Sequence, residues 1–155
     1  EASAIMALAT IHAEKHYVVK GFTTSGGSYW TGTSALKDIP IRKAHSIKEV
    51  SRIMDAMGFG GTDCSLPFVW ALEEKAHIDC FVIYTDNESW AGRSHPSEAL
   101  AKYRKQVNPN AKVVFVSFTA TEATLIDPND KNSIDIVGFG ADGPQIISSF
   151  AKGEI

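Results

Sequence analysis

Long apolar runs are missing from these 155 residues: none approaches the roughly 18 needed to cross a bilayer, and no signal-peptide pattern is visible. No membrane partner is expected. Cysteine is scarce as well. Cys64 and Cys80 are the only two, one in a prospective loop and one at the start of a prospective strand. So few thiols in a chain of this size suit a reducing compartment better than a disulfide scaffold, and the cytoplasm is the expected location. Nor does one sign of charge dominate. Fifteen Lys and Arg against 18 Asp and Glu give a formal charge of −3, so the chain as a whole lacks the electrostatic footprint of a nucleic-acid platform. Internal repeats and low-complexity tracts are absent. What remains is ordinary for a globular protein, with 44% hydrophobic and 21% charged residues and a length that suits one domain with a substantial core.

The order of patterns is informative. From Ala2 to about Lys15, Ile5, Met6, Leu8, Ala9 and His12 or Ala13 recur at helical spacing, which predicts a core-packed helix. Tyr17 to Thr23 is β-branched and aromatic and reads as a strand. Thr24 to Thr33 is rich in Gly, Ser and Thr and reads as a loop or hairpin, with Tyr29 and Trp30 packing on something. Ser46 and Glu49 form a capping box ahead of a helix on which Ile47, Val50, Ile53, Met54 and Met57 repeat, with Gly58 placed to end it. Pro67 falls in the first turn of the next helix, which runs to about Lys75. Cys80–Thr85 is a continuous apolar run, the mark of a strand covered on both faces. A helix from Ser94 to Val107 places Ala99, Leu100 and Tyr103 on one face. Lys112–Phe118 and Ile134–Phe139 read as two further buried strands, separated by a turn-rich excursion around Asp127-Pro128. A last helix turns Ile146, Ile147 and Phe150 inward. Helices alternating with buried strands predict an α/β fold, an open, mostly parallel, doubly wound sheet of Rossmann type. Such a sheet normally begins with its central strand, whereas this chain opens on Glu1 and goes straight into a helix. The expectation is a chain that has been trimmed or processed, with its N-terminal strand missing.

The stretch from Gly58 to Glu88 carries the most chemistry. Two glycines, Gly60 and Gly61, put a tight turn before the hydroxyl of Thr62 and the carboxylate of Asp63, and a second carboxylate, Asp86, follows the apolar strand. Ligands of open α/β sheets bind outside the carboxyl ends of the strands, and small loops that bring hydroxyl and carboxylate oxygens there suit a hard divalent cation.

The block Gly60-Gly61-Thr62-Asp63-Cys64-Ser65-Leu66-Pro67 resembles the von Willebrand factor A-type domain of the Ro autoantigen (TROVE) family. So do Thr85-Asp86-Asn87-Glu88, then Ala91-Gly92, His95-Pro96, Ala99-Leu100, Tyr103-Arg104-Lys105, Asp127-Pro128-Asn129-Asp130 and Gly138-Phe139, in that order. The likeness covers essentially residues 1–155, as a partial A-like domain. It implies a binding module of a ring-shaped ribonucleoprotein in which a separate ring of helical repeats binds noncoding RNA for its quality control. It also implies a metal-ion-dependent (MIDAS) face that takes an acidic group of a protein ligand.

In that family three loops hold the cation. The second and third map onto Thr62 and Asp86. The first, Asp-x-Ser-x-Ser, occurs nowhere in the sequence, so the site is incomplete in this chain: Mg²⁺, the expected metal, takes about six oxygens, of which these residues supply two. A missing upstream segment is the expected source of the rest. Asp63 is either an acceptor behind the ligands or the cap of the helix through Pro67. Glu88 is either a general base partnered by Asp86, as in a metal-dependent hydrolase, or a solvated loop residue. No catalytic constellation accompanies them, and the expectation is a protein that is not an enzyme. A metal-free structural scaffold is the third reading. His12 and His16 have zinc-pair spacing without a third ligand. His95 belongs to a helix start, and Cys64 has no histidine nearby to activate it. Lys102, Arg104, Lys105 and Lys112 suit either phosphate or a solvated face. Trp30 and Trp90 mark either an interface or loops pinned down.

Overall fold

The computed structural model describes residues 2–25, 33–57, 63–85, 96–117, 127–138, 140 and 142–155. They fall into two compact units, one formed by Glu1–Gly61 with Phe139–Ile155 and the other by Thr62–Gly138.

The first unit contains α1 (Ala2–Ala13), the antiparallel hairpin of β1 (Lys20–Ser25) and β2 (Thr33–Asp38), and α2 (Ile47–Asp55). Two of these match their sequence signals closely. The capping box heads α2 as expected: the Ser46 hydroxyl accepts the Glu49 N–H at 3.2 Å, and the Glu49 carboxylate accepts the Ser46 N–H at 2.6 Å. The unit's core gathers Ala4, Leu8 and Ile11 from α1 with Ile39, Ile41 and Val50. Ala4, Leu8 and Ile11 are spaced i, i+4, i+7, one stripe of a helix. The apolar faces therefore differ from the sequence reading in detail. Ile5 stays 44% exposed because it is rotated about a quarter turn from the stripe that the core covers, and Ile47 stays 45% exposed at the first residue of α2. Strand β2 went unforeseen: Thr-Ser-Ala-Leu-Lys-Asp has no apolar alternation to announce it, and pairing with β1 makes it a strand.

The second unit contains α3 (Leu66–Glu73), β3 (Cys80–Thr85), α4 (Pro96–Gln106), β4 (Lys112–Ser117) and β5 (Ser133–Val137), with the strands parallel in the order β3-β4-β5. As the central strand of the three, β4 is buried from Val113 to Ser117, which is what its unbroken apolar run demands. Phe68 of α3, Phe81 of β3 and Tyr103 of α4 interlock edge to face, with centroids 4.9 and 5.2 Å apart. These edge-to-face geometries match the aromatic quadrupoles. Strand β5 corrects the expectation of a third buried strand. Asp135 is exposed and Val137 is 57% exposed, since Ser-Ile-Asp-Ile-Val alternates and only one face is covered.

Within the first unit, α5 (Gly143–Ala151) buries Ile147 and Phe150. A side chain at Gly143 would meet the Met6 methyl at 3.0 Å, so glycine there lets α1 and α5 approach. None of the described helices is long and apolar enough to cross a membrane.

Candidate functional site

In a parallel sheet the carboxyl ends of the strands form the face from which ligands are bound. Here that face is defined by the register Thr85↔Ser117↔Val137. Ser117 is buried at its centre, and its carbonyl accepts the Gly138 N–H at 2.7 Å. Gly138 has a φ of +80°, a left-handed turn suited to a residue without Cβ, and it closes β5 at this same face. In the sequence, Asp86 is the residue after Thr85. Thr62, Asp86 and Glu88 lie outside the described residues, as do Trp30, Trp90 and His95.

Asp63 is described, and it is 7% exposed. Its Oδ1 accepts two hydrogen bonds from Ser65, from the backbone N–H at 3.0 Å and from the hydroxyl at 2.6 Å. Its carbonyl accepts the Leu66 N–H at 3.1 Å. The carboxylate thus folds the Asx-type turn that launches α3, and Ser65 itself makes no side-chain cap. The burial of this acid next to Thr62 in the chain follows from that turn.

The opposite ends of the strands are tied down by Tyr103, expected on the inner face of its helix, and by Asn108, which the sequence does not single out. The Tyr103 hydroxyl, on a fully buried side chain, accepts the Ile78 N–H and donates to the Ala76 carbonyl, each at 2.7 Å. Asn108 Nδ2 donates to the Ile78 carbonyl at 2.9 Å. Together they fix the backbone that leads into β3.

Arg104, read as one of a basic run, instead points inward. Its Nε and Nη2 donate to the Ala111 carbonyl at 3.0 and 2.8 Å, and Nη1 donates to Asp130 Oδ2 at 2.6 Å. Asp130 also accepts from the Ser133 hydroxyl and the Asn132 N–H. Burial pushes the Asp130 carboxyl up. The hydrogen bonds from Ser133, Arg104 and Asn132, with the Arg104 charge, outweigh it and hold the group below its ordinary value. Sequence spacing carries no signal for a pairing 26 residues apart. Beside this pair a cleft of about 310 Å³ opens, with walls that include Phe68, Leu100 and Phe115.

The other sequence candidates separate. Lys102 and Lys105 are exposed on α4 and Lys112 is half-buried. His12 and His16 are both exposed, and α1 ends at Ala13, so the two imidazoles do not share a helix. Cys64 is buried. Among the described residues no group of three His, Cys, Asp or Glu side chains could hold a metal ion, and the two expected ligands, Thr62 and Asp86, lie outside them. A hydroxyl and a carboxylate are the right donors for a hard cation but are short of a full set.

Comparison with known proteins adds to the geometry. A family model described as the Ro60 vWA domain matches residues 1–151. The RNA-binding protein RO60 of Deinococcus radiodurans is 34% identical over 154 residues, which cover 99% of this chain and 27% of that protein. The protein of the same name from Caenorhabditis elegans is 40% identical over 121 residues, 77% of this chain and 19% of the relative. The crystal structure of the Deinococcus radiodurans RO (RSR) protein superimposes with a TM-score of 0.80 at 35% identity, over 99% of this chain and 29% of that one. The chain therefore spans between 19% and 29% of the length of these relatives.

Proposed function

The chain belongs to the Ro60 vWA domain family, and from that premise we propose that it is the non-catalytic ligand-binding module of a Ro-type RNA-binding ribonucleoprotein. The observation that carries the reading is the match over residues 1–151 to this one domain of proteins named for RNA binding. The parallel sheet supports it, because it ends β3 one residue before Asp86.

In this reading Thr62 and Asp86 hold a divalent cation such as Mg²⁺, and water, an acidic group of a protein partner and donors from outside these residues complete its shell. When bound, the cation supplies a localised positive charge that selects a carboxylate. The chain's own contribution is to hold the loops: Asp63 and Ser65 fix the turn next to Thr62, and Tyr103 and Asn108 fix the start of the strand that leads to Asp86. Recognition of noncoding RNA and its quality control fall mainly to a ring of helical repeats outside this chain.

Native mass spectrometry of the chain with and without Mg²⁺ tests the metal face. A weak magnesium adduct that is lost in both Thr62→Ala and Asp86→Ala is expected, since these residues supply two of about six oxygens. An adduct that survives both substitutions would place the cation elsewhere and overturn Thr62 and Asp86 as its ligands.

A further inference from the structure

The formal charge of −3 conceals an uneven distribution. From His12 to Arg52, seven Lys and Arg stand against three Asp and Glu, a local +4, and the remaining residues carry −7. The fold gathers much of this excess at one place in the first unit. Because Lys20 pairs with Asp38, the start of β1 lies beside the end of β2, and residues 14–19 and 39–46 lead away from the same end of the hairpin. The Ile39 N–H donates to the Val19 carbonyl at 3.0 Å and stitches the two segments together. A tight turn, in which the Arg42 N–H donates to His45 Nδ1 at 2.9 Å and the His45 N–H to the Arg42 carbonyl at 3.0 Å, holds the second segment. The Lys43 ammonium sits 5.8 Å from the centre of the Tyr17 ring, within cation–π range. Lys15, His16, Tyr17, Val18, Arg42 and Lys43 are all exposed.

Of the nearby acids, Asp38 is paired with Lys20, while Glu14 and the capping-box Glu49 offset part of the charge and are outnumbered by Lys15, Arg42, Lys43, Lys48 and Arg52. Among the described residues, Lys15, Arg42 and Lys43 make no ion pair.

We propose that this surface, Lys15 to Val18 with Arg42 and Lys43, is a contact site for single-stranded RNA, with the cations on phosphates and the Tyr17 ring stacked on a base. Cations flanking an exposed aromatic ring are what a single strand engages, since its bases are free to stack and its backbone must be neutralised. A membrane surface fits less well, because it calls for a broad apolar face beside the cations, and Tyr17 and Val18 are the large exposed apolar side chains of these two segments. The inference rests on the reading of the chain as part of an RNA-binding protein, and it assigns to this module an RNA contact of its own.

Fluorescence anisotropy of the 155-residue chain with a labelled 20-nucleotide oligouridylate, in EDTA at several salt concentrations, tests it. Arg42→Glu with Lys43→Glu should weaken binding at least tenfold and lower the salt slope by about 1.4, the value for two single-strand phosphate contacts. Tyr17→Ala should weaken it about fivefold or more with the slope kept, and Tyr17→Phe should retain affinity. The charge-matched control, Lys102→Glu with Lys105→Glu on α4, should bind like the parent, and circular dichroism checks that each variant is folded. Parent binding that is unchanged by Arg42→Glu with Lys43→Glu would overturn the surface and leave the family reading standing, as would equal losses in the control. A parent chain that ignores the RNA would overturn the proposal and leave the family reading standing, since that reading places RNA recognition mainly outside this chain. Binding instead to vesicles of phosphatidylcholine and phosphatidylserine would identify a membrane contact and overturn the proposal.

Discussion

Asp130 and Arg104 show what one pair of side chains does here. Each is about one-fifth exposed, and together they link α4 to the approaches of β4 and β5. Breaking a largely buried pair leaves an uncompensated charge, so Arg104→Ala is expected to destabilise the chain by about 3 kcal/mol, read as a lower urea midpoint. Arg104→Lys should recover little of this, because an ammonium cannot reproduce the fork that reaches both the Ala111 carbonyl and the carboxylate. The pair also imposes a pH dependence. The Asp130 carboxyl is held below its ordinary value in the folded state, so its contribution is fully present above the unfolded value of about 3.9 and is lost as pH falls through the lower folded value. Urea midpoints of the parent and of Asp130→Asn should therefore differ at pH 7 and converge below about pH 4. A constant gap down to pH 2 would show that the carboxylate's charge contributes nothing.

At the scale of elements, α4 acts as a clamp on the segment that delivers β3. Tyr103→Phe keeps the ring stack on Phe81 but strands the Ile78 N–H and the Ala76 carbonyl, and unsatisfied buried groups cost about 1–3 kcal/mol. The expected result is a drop in stability of that size and faster amide exchange at Ile78. Strand β5 has a different weakness. It pairs only with β4 among the described strands, and Asp135 supplies the one charge in Ser-Ile-Asp-Ile-Val. Charges on such edges discourage pairing between molecules, so Asp135→Val should raise light scattering on incubation at 37 °C well above that of the parent. The long uniform signals were legible in the sequence: the runs of β3 and β4, the capping box of α2, and the Ala99-Leu100-Tyr103 face of α4. Strand β2 was not, since its partner rather than its composition makes it a strand. The helix faces of α1 and α2 were partly misread because both carry more apolar residues than their cores cover. The inward turn of Arg104 was hidden by its neighbours Lys102 and Lys105, which really are solvated. As for the candidate site, its residue types and order were visible, and Asp63 is the one described residue of the four proposed.

For the molecule as a whole, the two units have separate apolar centres, one around Leu8, Ile11 and Val50 and the other around Phe68, Phe81 and Tyr103. Phe68→Ala should cost about 3–5 kcal/mol. Hydrogen exchange should then quicken across β3, β4 and β5 more than across β1 and β2, whereas uniform loss would mean that the chain opens in one step. The parallel pairing of Cys80 with Lys112 has a consequence in time. At synthesis rates of about 5–20 residues per second, β3 is made a few seconds before the strand it must pair with. Through that interval Cys-Phe-Val-Ile-Tyr-Thr is a nascent apolar segment without its β4 partner, and a newborn chain in that state is a natural client for the chaperones that wait at the ribosome.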